Sequence, residues 1–234
     1  MIYSLSDPHL SFGVHKPMDV FGEKWRDHAE KIRENWERTV KPEDTVLVCG
    51  DISWALTRDE ARPDIEFVAG LPGQKILIRG NHDYWWRRGD FNKLKKAAPP
   101  SVTLIHGTSE FIGNVGITGT RGWRLEPDGD NDNYERVLAR ELMYFERGLE
   151  EIKEAEYKIA MLHYPPYEVD FTPNDFAAMA EKYGVDTLVY GHIHGAKAIT
   201  GDVNGVRYIC SSADKADFRP LIVYPEEELC TESE

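Results

Sequence analysis

No apolar run in this chain is long enough to span a bilayer, and its first residues, Met1-Ile2-Tyr3-Ser4-Leu5-Ser6-Asp7, lack the basic stretch that opens a secretion signal. Both absences point away from a membrane and away from export, so the expected location is cytoplasmic. Cysteine is scarce. Cys49, Cys210 and Cys230 form an odd set without metal-binding or redox spacing, which excludes a disulfide framework and predicts reduced thiols. Positive charge is short as well: 28 Lys and Arg stand against 41 Asp and Glu, a net charge of −13. Such a surface repels nucleic-acid backbones and anionic membranes, so binding along a long nucleic acid is disfavoured. Internal repeats, low-complexity tracts and Pro/Gly-rich linkers are missing too. The 234 residues are therefore expected to form one domain, 1–234, ending in a frayed acidic tail from about residue 226.

What is present reads as an alternation of strands and helices. Short β-prone runs occur at Ile2–Leu5, Val46–Val48, Ile76–Ile78, Ile159–Leu162 and Leu188–Tyr190. Further strands are expected at 102–105, 110–118, 197–200, 206–210 and 220–224, with Asn204-Gly205 as a hairpin turn. Apolar residues Trp25, Ala29, Ile32, Trp36 and Val40 predict an amphipathic helix from about Glu23 to Val40. Leu138, Leu142, Phe145, Leu149 and Ile152 predict a second, from Tyr134 to Ala155. Thr172 as N-cap, Pro173 in the first turn and Gly184 as stop predict a third. The alternation argues for an α/β protein with a mixed sheet.

Five of the strand runs are each followed at once by chemistry-bearing residues. These are Asp7-Pro8-His9, Gly50-Asp51, Gly80-Asn81-His82-Asp83, His163 and Gly191-His192-Ile193-His194. Buried strands that deliver acid, amide and imidazole groups at their C-terminal ends build a site along one rim of a sheet. Asp7, His9, Asp51, Asn81, His163, His192 and His194 make a donor set suited to a pair of divalent cations. If the chain stays extended, Asp7 and His9 point the same way and grip one ion, and His192 and His194 repeat the geometry. Asp51, with two oxygens, is the natural bridge between ions. Mixed imidazole and carboxylate donors suit Mn²⁺, with Fe, Zn, Co and Ni as alternatives, better than Ca²⁺. Cys49, at the end of an apolar run, reads as core.

The ordered series D-x-H, G-D, G-N-H-D, H and G-H-x-H resembles the calcineurin-like metallophosphoesterase family, over Asp7 to His194. Pro8 departs from the apolar residue often found there but removes no ligand. The resemblance implies a four-layer sandwich: two mixed β-sheets packed face to face, flanked by helices. It also divides the ligands, giving Asp7, His9, Asp51 and His194 to one ion and Asp51, Asn81, His163 and His192 to the other. The activity implied is hydrolysis of a small phosphate mono- or diester by metal-activated hydroxide, with no protein nucleophile. Two divalent ions and two aspartates leave a residual positive charge that attracts phosphate despite the acidic surface. His82 is expected to face substrate and to protonate the leaving alkoxide or stabilise charge there. Asp83 is expected either to orient that ring or to serve structure alone.

Around this core, Tyr84-Trp85-Trp86-Arg87-Arg88 reads either as a substrate rim, with Arg87 and Arg88 on phosphate, or as a packed buttress, the latter favoured for the tryptophans. Arg121 and Trp123 are candidate substrate contacts on the same footing, and Glu126 to Glu135 reads as an exposed loop. His15, His28 and His106 match no motif and are expected to be structural or solvated. Three alternatives stay open: a serine/threonine protein phosphatase, a non-catalytic metal-binding interaction scaffold, and a metal-storage or sensing protein. Gly50-Asp51 continues as Ile52-Ser53-Trp54 rather than with the aspartate-arginine-glycine set usual in that phosphatase branch, which counts against the first. His82 and Asp51 are both in place, which counts against the second.

Overall fold

The structure, a computed structural model, describes residues 1–124 and 133–225, and all of Arg88 but its side chain. The acidic tail and most of the expected loop after Glu126 lie outside the described residues. Strands β1 (Ile2–Ser4), β2 (Thr45–Val48), β3 (Gln74–Leu77) and β4 (Val102–Leu104) run parallel, and β11 (Leu221–Tyr224) pairs antiparallel with β1. This five-stranded sheet has the order β11-β1-β2-β3-β4. The second sheet contains β5 (Ser109–Ile112), β6 (Val115–Thr120), β7 (Tyr157–Leu162), β8 (Thr187–Tyr190), β9 (Gly201–Val203) and β10 (Val206–Cys210). Its order is β5-β6-β7-β8-β10-β9, with the four inner strands parallel and both edges antiparallel.

Side-chain alternation along the strands shows how the sheets stack. Leu47, Cys49, Ile76 and Ile78 of the first sheet pack against Ile117, Ile159, Met161, Val189 and Ile209 of the second. The residues between them, Val46, Val48 and Leu77, face the opposite way, onto Ile32 and Trp36 of α1 (His28–Thr39), Ala61 and Val68 of α2 (Arg58–Gly70) and Leu94 of α3 (Phe91–Ala97). On the far side, Ala160, Leu162, Leu188 and Tyr190 pack on Phe145 and Leu149 of α4 (Tyr134–Glu151) and Phe176 and Ala180 of α5 (Asp175–Lys182). Strands buried on both faces read as continuous apolar runs, which is why they were legible. The result is the four-layer α/β sandwich. Among the described residues, no helix is long and apolar enough to cross a membrane.

Several local expectations are corrected. The first helix begins at His28, not Glu23: residues Glu23–Trp25 form a short 3₁₀ turn, and Asp27 breaks the path at φ 52°. Helices α2 and α3 were not anticipated. For α2 the signal was present, since Thr57 and Glu60 exchange the two hydrogen bonds of a capping box, but Pro63 within the helix obscured it. Asn174 rather than Thr172 caps α5, its side-chain oxygen accepting from the Phe176 and Ala177 amides. The 110–118 run is a hairpin, with Gly113 at φ 60° between β5 and β6. The last edge strand falls at Gly201–Val203 instead of 197–200, and it turns into β10 through Asn204 and Gly205, both at positive φ as the Asn-Gly pair predicted.

A candidate metal centre at the seam of the two sheets

The loops that leave β1, β2, β3, β7 and β8 meet where the sheets abut. The Ser6 amide donates to Ser211 O at 2.8 Å and the Asp7 amide to Gly50 O at 3.1 Å. Asp7, His9, Asp51 and His192 have φ of 55°, 47°, 51° and 68°. These left-handed conformations cost on the order of 1 kcal/mol each, and they correct the extended geometry expected of Asp7 and His9. Neighbouring bonds stabilise the bends: the His9 amide donates to Asp51 O at 3.0 Å, and the His192 amide to the Asp7 carboxylate at 3.0 Å. The motif glycines follow from the same crowding. A Cβ on Gly191 would meet Asp7 Oδ2 at 2.3 Å, and one on Gly80 would meet Asp51 Oδ1 at 2.1 Å.

All seven expected ligand side chains converge. Asp51 directs Oδ2 toward His9 Nε2 at 3.8 Å and Oδ1 toward His163 Nε2 at 3.6 Å, one oxygen to each half of the centre. Asp7 Oδ1 lies 3.8 Å from His194 Nε2, and His194 Nε2 lies 3.2 Å from His9 Nε2. In the other half, Asn81 Oδ1 stands 2.5 Å from His163 Nε2 and 3.1 Å from His192 Nδ1. Asp7, His9 and His194 form one cluster with metal-binding spacing; Asp7, Asp51 and His163 form another.

The protonation pattern tests whether cations fit. His163 Nδ1 donates to Cys49 O at 2.8 Å, a bond that leaves Nε2 with its lone pair. That lone pair lies beside the Asn81 carbonyl oxygen, two acceptors side by side as adjacent ligands of one cation would be. His194 Nδ1 donates to Asp214 at 2.7 Å, which likewise turns the Nε2 lone pair toward His9 and Asp7. Burial raises the Asp7 and Asp51 carboxyls above the usual carboxylate range, Asp7 strongly. Burial also holds His9 and His163 far below the ordinary imidazole value, with neighbouring imidazoles adding to the effect. Buried carboxylates and neutral imidazoles pointing lone pairs inward are what a divalent cation requires. The residues fit the metals.

His82 sits beside this set, its amide donating to Asp51 Oδ1 at 2.8 Å and its ring 4.3 Å from that of Trp54. Burial lowers the His82 pKa, and its Nδ1 is buried with no hydrogen-bond partner. Asp83 does not touch the ring. Its carboxylate accepts from the Ile52, Ser53 and Gly80 amides and from Trp85 Nε1, at 2.8–3.1 Å, so it ties the β2 and β3 loops together. Of its two readings, geometry supports the structural one. Burial, with Asp51 nearby, pushes the Asp83 carboxyl up to about 6. Trp85 and Trp86 are buried in the core as the buttress reading held. Arg87 is exposed, and Arg88's side chain lies outside the described residues. Arg121 stacks over Trp123 at 4.6 Å and lines a small cavity with Arg79, Arg140, Glu141 and His106. Its charge reaches the centre, where it helps to depress the His163 pKa.

Sequence reasoning missed four contributors. Asp214 orients His194, Ser212 Oγ donates to Asp7 Oδ2 at 3.1 Å, Trp54 stacks on His9 at 4.9 Å, and Trp25 meets both His9 and His194 edge-on. Ser212 and Asp214 follow β10 as the motifs follow their strands, a signal that was available. The tryptophans carried none.

Residues 2–196 match the family described as Calcineurin-like phosphoesterase. The chain is 31% identical over 80 residues to the Gene 66 protein of Mycobacterium phage L5, a stretch covering 33% of this chain and 37% of that protein. To the Gene 66 protein of Mycobacterium phage D29 it is 35% identical over 83 residues, covering 35% and 40%. It thus spans about two fifths of the length of these curated relatives. The fold is shared with a protein of unknown function from Aquifex aeolicus, with TM-score 0.52, 21% identity and 94% of both chains covered. It is shared also with the phosphopantetheinyl hydrolase of Mycobacterium tuberculosis, with TM-score 0.56, 17% identity, and 97% and 96% covered.

Proposed function

The chain belongs to the calcineurin-like phosphoesterase family, and we propose that it is a phosphohydrolase using two divalent cations to cleave a small phosphate mono- or diester. The observation that carries this reading is the Asn81–His163 pair: a carbonyl oxygen and an imidazole lone pair 2.5 Å apart, arranged to share a cation. Asp51, with one oxygen toward each half, supports a second cation beside the first. Asp7, His9, Asp51 and His194 would hold one ion, and Asp51, Asn81, His163 and His192 the other. Bound divalent cations supply Lewis acidity, making water nucleophilic near neutral pH and neutralising phosphoryl oxygens.

The chain's own residues do the rest. His82 enters as a neutral imidazole, because burial lowers its pKa, and its N–H meets the charge that develops on the leaving oxygen. The Asp51 carboxylate and the Trp54 ring fix its position. Arg121, close enough to influence His163, is the candidate contact for a non-reacting phosphoryl oxygen. Cys49 is no nucleophile: burial between the sheets pushes its thiol far above the ordinary value.

The test is turnover of nitrophenyl phosphate and bis(nitrophenyl) phosphate with Mn²⁺ and with a chelator, alongside metal content per chain. Activity is expected only with metal, at two ions per chain. His82→Ala is expected to lower kcat by roughly 10²–10⁴-fold with both ions retained. Two bound ions with no turnover of any ester would favour the scaffold or storage reading instead.

A further inference from the structure

A cavity of about 280 Å³ opens directly onto the candidate catalytic histidine. Its floor is made by the rings of His9, His82 and His194, and its walls by Met18, Phe21, Trp25 and Trp54. Among the described residues, no Lys, Arg, Asp or Glu side chain lines it. The polar atom of Trp54 is turned to Met18 Sδ at 3.1 Å, so these two wall residues spend their polar atoms on each other. At the mouth, the 3₁₀ turn Asp19–Phe21 leaves Val20 70% and Phe21 60% exposed. Apolar side chains held at the lip of a reaction site gain stability when an apolar group covers them.

We propose that this cavity is the leaving-group subsite and that it selects phosphoesters of an apolar alcohol, alkyl or aryl, over those of sugars, glycerol or serine peptides. The inference rests on the phosphohydrolase reading in one respect: the ring that meets the leaving oxygen fixes the side on which the alcohol lies, and His82 is in the cavity floor. In the reaction the P–O bond to the alcohol breaks, the oxygen of water takes its place on phosphorus, and the alcohol leaves with a proton the water gives up. A polar alcohol would bring hydroxyls that find no partner on these walls and would lose their water. An alkyl chain gains with each methylene transferred out of water. Capacity is near the lower end of small-ligand sites, which excludes a folded phosphoprotein segment entering as a whole.

The test uses two n-alkyl series, methyl through octyl, with the Mn²⁺-loaded full chain. Alkyl phosphates keep the leaving-group acidity nearly constant, so kcat/KM reads the cavity. It is expected to rise about fourfold per methylene until the cavity is full, and glycerol phosphate to fall about tenfold below propyl phosphate. Non-hydrolysable alkylphosphonates, followed by calorimetry, read binding without chemistry and should show the same ascent. Phe21→Ser is expected to cut the octyl-to-methyl ratio about tenfold in both series. A flat series, or a Phe21→Ser loss equal at every length, overturns the proposal. Phosphonate affinity that climbs with length while no phosphate is hydrolysed would sustain the subsite and sink the phosphohydrolase reading.

Discussion

Asp214 shows what a single side chain contributes at this site. Its carboxylate accepts a hydrogen bond from His194 Nδ1 at 2.7 Å and another from the Gly195 amide at 3.3 Å, so the His194 ring is held in one tautomer and one orientation. Burial alone would lower the His194 pKa, but Asp214, Asp7 and Asp51 together carry it above the ordinary value. Removing the negative charge should weaken the grip on the ion without unfolding the chain. Asp214→Asn is expected to reduce Mn²⁺ affinity ten- to hundredfold, measured by calorimetry, with unchanged circular dichroism. Unaltered affinity would mean the pair serves packing only. The seven ligand candidates were legible because each follows a strand run in a fixed motif. Trp25, Trp54 and Asp214 were not, since their roles lie in which rings they touch, and those rings come from distant segments.

At the level of elements, the short parallel strands depend on how their helices end. Lys75, in β3, is 1% exposed and sends its ammonium to Ala69 O at 3.1 Å, Gly73 O at 2.8 Å and Leu71 O. Those carbonyls terminate α2 and form the loop into β3. All three protons of the ammonium are used, and its charge sits at the negative end of the helix. Lys75→Met keeps the length but leaves the Leu71 and Gly73 carbonyls without donors, each costing about 1 kcal/mol or more, while Ala69 O keeps the Ser101 hydroxyl at 2.9 Å. A loss of about 2 kcal/mol is expected from urea unfolding, and a change below 0.5 kcal/mol would refute the assigned role. In an apolar strand run a lone lysine looks like an edge residue, so this function was invisible before the strand had neighbours. The start of α1 was obscured for a related reason: Trp25 keeps the helical period by burying its ring against the site rather than by lying in the helix.

For the molecule as a whole, the proposed ligand set makes metal and proton compete for the same buried groups. Asp7 and Asp51 titrate above ordinary carboxylates in the folded, metal-free chain. The folded state therefore holds more of their protons than the unfolded one, and their contribution to stability falls as pH rises through the raised values. His9 and His163 act oppositely: depressed in the fold, they favour the unfolded chain in acid, and that cost disappears as pH rises toward about 6.5. A cation displaces the carboxyl protons and needs the imidazoles neutral, so both groups make its stabilisation grow with pH. Excess Mn²⁺ at about a hundred times Kd should add about 2.7 kcal/mol per site at pH 8. Thermal unfolding with and without chelator should show that gap shrinking toward pH 5. A gap independent of pH would contradict the ligand assignment.

The linear order of residues determined the candidate donor set, the strand behind each motif and the α/β alternation, because strands buried on both faces must be apolar throughout and cations demand particular atoms. Tertiary structure alone decided that four of the candidate ligands bend through positive φ, that Asp51 turns one oxygen to each half of the candidate centre, and that tryptophans wall the cavity beside His82. These are properties of distance between segments as remote as Asp7 and His192, and no local pattern of hydrophobicity or charge encodes such a distance.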